Sequence, residues 1–139
     1  MGNRAIIKGE KSNIGVYLHW NGGADSVEAF LEYCKLREFR DFDDGYGIAR
    51  FCQVVGNWFK GGLSIGICEC SAQTDEDAKE YYLDNGVYVI NNKWEVVKRL
   101  DASDYREGYD RLEFLISIDE AQPESERLGA DVIARMKGE

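Results

Sequence analysis

The chain reads as an α+β fold: a mostly antiparallel sheet of about five strands with three to four helices, in the order ββααβββα(α). Three observations predict it. Short runs alternate apolar and polar residues with the period of a strand, as in Val16 to Trp20. Two longer segments carry apolar residues at helical spacing, led by Val27, Phe30, Leu31 and Cys34. Turn residues then split the later strands into a hairpin at Asn91-Asn92-Lys93. Strand pairs with helices grouped between and after them place the helices on one face.

Each element follows from its residues. Arg4 to Lys8 is a short strand, and Val16 to Trp20 a second one. Val16, Leu18 and Trp20 share one face there, Tyr17 and His19 the other. Asn21-Gly22-Gly23 breaks that strand. Asp25-Ser26-Val27-Glu28 fits a capping box and opens a helix over residues 26 to about 38. Residues 40–45 form a loop, and Tyr46 to Phe59 a second helix with Ile48, Phe51, Cys52, Val55, Trp58 and Phe59 inward. Gly61 or Gly62 supplies its left-handed cap. Leu63 to Cys70 is a strand, and Ser71 to Asp84 a polar loop with room for one helical turn. Gly86 to Ile90 and Trp94 to Leu100 form the hairpin. Residues 104 to 121 read as a helix with Leu112, Leu115 and Ile116 inward, stopped at Pro123. This gives one domain over 1–122 and a C-terminal helix or tail over 123–139, the helix resting on Leu128, Val132, Ile133 and Met136 and ending at Lys137.

Composition bounds the function. The chain has 139 residues, enough for one real core. No apolar run is long enough to span a membrane, and the start has no signal-peptide stretch. Met-Gly opens a myristoylation motif that fails at Ile6. The expected location is the cytosol, which as the resemblance below implies is that of a host bacterium. The net charge is −9, with 8 Lys/Arg against 8 Asp/Glu in residues 1–60 and 9 against 18 in residues 61–139. That acidic half argues against direct nucleic-acid binding, which needs a basic face. It suits solubility, or docking onto a basic protein partner.

Two catalytic signatures are missing: there is no phosphate-binding Gly-Lys-Ser/Thr loop and no H-E-x-x-H. His19 is the one histidine, and a triad built on it needs partners that sequence does not place. The cysteines Cys34, Cys52, Cys68 and Cys70 read as reduced thiols. Cys68-Glu69-Cys70 with His19 lacks the usual metal-ligand spacing, so no metal or cofactor is expected. Asp43-Asp44 reads as a helix cap beside a solvated neighbour.

Aromatic residues beside glycines are the more informative pattern: Trp20-Asn21-Gly22-Gly23, Gly45-Tyr46-Gly47 and Trp58 before Gly61-Gly62. Rings stack on bases, and N–H groups at a helix start take phosphate. Trp20, Asn21, Arg37, Arg40, Tyr46 and Trp58 are therefore the candidate ligand contacts, with Arg50 and Lys60 as further positive charge. For VYLHWNGG, Val16 to Gly23, the plainer alternative is that Trp20 is core and the glycines only turn the chain, since Asp25 and Glu28 already sit at the helix start.

At VYLHWNGGADSVEAFLEYCKLREF, GIARFCQVVGNWFKGG and DNGVYVI the chain resembles small proteins carried by phages and mobile elements of Firmicutes. In size and composition it is also similar to phage proteins that inhibit Thoeris defence. That resemblance implies sequestration of a cyclic nucleotide immune signal, without cleavage, in pockets at subunit interfaces. The expectation is an anti-defence protein that binds rather than catalyses, most simply as a homo-oligomer. An alternative is an anti-CRISPR-type inhibitor that docks its acids, around Asp75 to Asp77 and Asp101 to Glu126, on a defence nuclease. A third is a small hydrolase using His19 and a cysteine.

Overall fold

The computed structural model describes residues 2–136. Its strands are β1 (Ala5–Gly9), β2 (Ile14–Leu18), β3 (Ile65–Glu69), β4 (Val87–Ile90) and β5 (Val96–Leu100). Its helices are α1 (Ala24–Leu36), α2 (Gly45–Phe59), α3 (Asp75–Lys79), α4 (Arg111–Glu120) and α5 (Ala130–Met136). The strands form one sheet in the order β3-β2-β1-β4-β5. Three of its pairings are antiparallel, and β1 with β4 is parallel. The fold is α+β, as the patterns predict.

Alternation sorts the sheet into two faces. Ala5, Ile7, Val16, Leu18, Tyr88 and Ile90 point to one face and make the main core with Phe30, Phe51, Val55, Phe114 and Ile118 of α1, α2 and α4. Ile6, Val87 and Leu100 point the other way, where Ala78 of α3 and Cys70 cover them. Helices therefore lie on both faces rather than one, because Thr74 starts α3 with a capping box of its own.

Several boundaries differ from the sequence reading, each for a local reason. Strand β2 ends at Leu18, so Trp20 leaves the buried face and is 44% exposed. Lys60, not a glycine, takes the left-handed cap of α2, at φ 63°. Asp43 is more than a solvated neighbour of the capping Asp44: its carboxylate accepts the Lys11 N–H at 3.0 Å. The predicted helix over 104–121 shortens to Arg111–Glu120, with Leu115 buried as read and Phe114 and Ile118 buried in place of Leu112 and Ile116. Residues 101–110 form no helix and run instead as an irregular strap, with Tyr105 and residues 107–109 bonded to the start of α1. Leu128 and Met136 of the C-terminal segment pack against the main core. The side chain of Val132 and the predicted helix end at Lys137 lie outside the described residues. Among the described residues no helix is long and apolar enough to cross a membrane.

Candidate ligand-binding cleft

The turn in VYLHWNGG leads to a helix start that is already filled. The N-cap of α1 is Gly23, and the expected Asp25–Glu28 capping box does not form. Glu107 of the strap takes that place: its carboxylate accepts the Gly23 N–H at 3.1 Å and the Ser26 hydroxyl at 2.7 Å. A Cβ on Gly23 would stand 2.5 Å from that carboxylate, so the glycine admits it. Asp25 turns the other way and accepts the backbone N–H groups of Glu107, Gly108 and Tyr109 at 2.9, 2.7 and 3.0 Å.

The two carboxylates titrate in opposite directions. Burial by itself raises Asp25, but its contact with Glu107 and the three strap N–H groups outweigh burial and hold it far below the carboxylate range. Burial, and then Asp25 itself, push Glu107 up. A phosphate at this helix start would have to displace Glu107 and face Asp25. Asn21 is spent locally as well, donating to Ser26 and to the Tyr109 hydroxyl. Trp20 lies edge-on to His19 with centroids 5.1 Å apart.

Trp58 is half-buried in an aromatic cluster with Phe30, Phe59 and Phe114, and its indole N–H donates to Ser117 Oγ at 3.1 Å. It is a packing residue between α2 and α4.

The other three predicted contacts converge on the loop between α1 and α2. The left-handed Glu38, at φ 57°, ends α1. Phe39 is pinned next, its carbonyl accepting the Trp94 indole N–H at 3.3 Å. Asp44 caps α2 through the Tyr46 N–H at 2.9 Å and pairs with Arg40 at 3.7 Å. Close packing holds the helix start to the loop, for a Cβ on Gly47 would run into the Asp41 carbonyl. Tyr46 then projects outward, 59% exposed. Arg40 lies 4.8 Å from the centre of its ring, and Arg50, one helical turn on, 5.9 Å. Glu38, Phe39, Arg40, Tyr46 and Arg50 line a shallow cleft of about 440 Å³. Arg37 lies 5.0 Å from the centre of the Phe39 ring and bonds the Tyr33 hydroxyl.

Arg37 and Arg50 have no carboxylate partner among the described residues, and Arg40 has only the long contact to Asp44. A patch with free guanidinium charge thus stands on a chain of net charge −9. Two flat cations beside an exposed ring can stack on a base and neutralise a phosphate. Phe39 and Glu38 went unread in the sequence. Arg50 carried the legible signal, four residues after Tyr46 on one helix face.

The remaining chemistry stays dispersed. His19 Nδ1 is 2.9 Å from the Tyr17 hydroxyl. Burial pushes the Cys68 thiol up to about 11, with Cys70 and Glu69 adding to the shift, and raises Cys34 and Cys52 too. That is opposite to what a nucleophilic thiolate needs. No three metal-ligating side chains gather among the described residues. Of the acids, Asp75 accepts the Asp101 backbone N–H at 2.8 Å.

No family model matches the chain, and no curated protein or solved structure shows significant similarity to it.

Proposed function

We propose that the protein binds, without turning it over, a small anionic ligand carrying a flat ring, and that the Tyr46 cleft is the site. The class intended is a nucleotide signal of the cyclic kind, held away from its receptor. One observation carries this reading: Arg40 and Arg50 flank the exposed Tyr46 ring, Arg50 with no carboxylate partner among the described residues and Arg40 with only the 3.7 Å contact to Asp44. Charge-assisted contacts to phosphate and a stacking surface for a base then lie within one small cleft. Sequestration is also the use that the resemblance to phage anti-defence proteins implies. Trp20, Asn21 and Trp58 have no part in this site.

The test is calorimetric titration of the protein with linear and cyclic mono-, di- and trinucleotides and cyclic ADP-ribose isomers, followed by recovery of the ligand. One nucleotide binds and is recovered intact, and Tyr46→Ala and Arg50→Ala each weaken it about tenfold or more, the loss of one stacking or charge-assisted contact. Binding that ignores both substitutions overturns the site. A recovered product overturns binding without turnover.

The acidic inhibitor reading keeps one supporting observation, the Asp101 N–H donating to Asp75, which brings the end of β5 to the acidic start of α3. A nucleotide panel with no response favours it. Retention of a basic nuclease at low salt that fades as salt rises then identifies it.

A further inference from the structure

We infer that the free edge of β3 seats a second copy of this chain, paired antiparallel about a two-fold axis at Ile67. The backbone says which groups are free. At one end of β3 the His19 N–H donates to the Ser64 carbonyl at 2.8 Å, and at the other the Cys70 N–H donates to Asn13 at 2.6 Å. Strand groups alternate in direction, so the even-numbered residues turn toward β2 and Ile65, Ile67 and Glu69 turn outward. The Ile65 N–H is taken by the Gly62 carbonyl. Its carbonyl, and both groups of Ile67 and Glu69, face the open edge.

The two edges of this sheet are built differently. At β5 the edge carries Lys98 and Arg99, is offset by a register shift at Val89/Ile90, and is tied by those side chains to the carbonyls of Gln73 and Asn85. Those are the devices that keep an edge from pairing. At β3 there is no charge from Gly61 to Cys68 and no register shift against β2. Along this edge Ile67 is 61% exposed, and Ile14 on β2 is exposed as well.

Charge selects the occupant and its direction. Lys60 and Glu69 bracket the uncharged stretch. Antiparallel self-pairing at Ile67 sets Glu69 of each copy opposite the uncharged Ile65 of the other, whereas a parallel pair in register sets Glu69 beside Glu69. The stretch is also neutral in a chain of net charge −9, so two copies meet here with the least repulsion. A two-fold pair uses both β3 edges and leaves only the guarded β5 edges, so assembly closes at a dimer.

The experiment is light scattering of the full chain at roughly 10 and 100 µM, concentrations at which a micromolar dimer is populated. The expected mass is twice that of one chain, and Ile67→Lys halves it. A monomer at both concentrations, or a dimer that survives Ile67→Lys, overturns the inference. Should Ile67→Lys fail to fold, hydrogen exchange of the wild type decides. Slower exchange of the Ile67 and Glu69 amides at high concentration upholds the pairing, and concentration-independent exchange overturns it.

Discussion

Substituting Asp25 by Asn separates two accounts of the same residue. As a capping-box residue, Asp25 would tolerate Asn well, since the two cap helices about equally. In the structure it does different work. One carboxylate oxygen accepts the N–H groups of Ser26 and Glu107, the other those of Gly108 and Tyr109. Asparagine replaces one of those oxygens with an NH₂ that faces two donors. Two charge-assisted bonds are lost at a site only 7% exposed. At about 1.5 kcal/mol each, the low end for bonds to a charged group, the cost is about 3 kcal/mol. Unfolding entropy of about 2.1 cal/mol/K per residue over 139 residues converts this to a Tm lower by about 10 °C. Calorimetric melts at neutral pH measure it. A drop of less than about 3 °C, roughly 1 kcal/mol, would refute the strap-anchor account.

The same site sets a pH signature. Asp25 has a depressed native pKa, so its contribution is present above its ordinary value of 3.8 and is lost as pH falls toward the native value. The acid-side loss of stability should shrink in Asp25→Asn. Glu107 is raised above 4.5, so its contribution runs the other way: present below 4.5 and lost as pH rises through the native value. Glu107→Gln should flatten that alkaline-going loss in melts recorded across the window, and an unchanged slope would count against the pair. Gly47→Ala drives a methyl into the Asp41 carbonyl; a melt should show about 1–3 kcal/mol of overpacking cost, and calorimetry a weakened Tyr46 cleft. Tyr82 is exposed at φ 55°, so Tyr82→Gly relieves left-handed strain and should raise stability by up to about 1 kcal/mol in denaturant titration.

The legible parts of this chain were those set by local pattern. The stripe Val27, Phe30, Leu31, Cys34 is the buried face of α1, and Asn91 to Lys93 does turn the β4–β5 hairpin. What could not be read was set by distant residues. Nothing near Asp25 announces that its partners are the backbone of residues 107–109, more than eighty positions on. With those N–H groups spent on Asp25, and Glu107 held at the start of α1, residues 104–110 do not join a helix, and the helical pattern of 104–121 fails over its first seven residues. Half of the candidate contacts converged because Arg40 and Tyr46 flank one short loop, with Arg37 behind Phe39. Trp20 was unreadable for the opposite reason, since its burial depends on where the strand ends, whereas Trp58 lies on the apolar stripe read for α2 and packs there against Phe114.

The contrast between the two helix starts is the reason the proposed anion site is the Tyr46 cleft and not the start of α1. At α1 the partial positive charge of the helix end is already met by Glu107, with the ionised Asp25 next to it. At α2 the cap is Asp44, but its charge is shared with Arg40, and Arg50 follows unopposed. Exposed charges there act over about a Debye length, roughly 8–10 Å at physiological salt, which spans the cleft but not the chain. A phosphate near Tyr46 therefore feels the arginines more than the net charge of −9. Its affinity should fall as salt rises, while the contribution of base stacking on Tyr46 should persist. Titration at two ionic strengths checks this: affinity for a nucleotide that does not change with salt would mean that the guanidinium groups do not contact its phosphate.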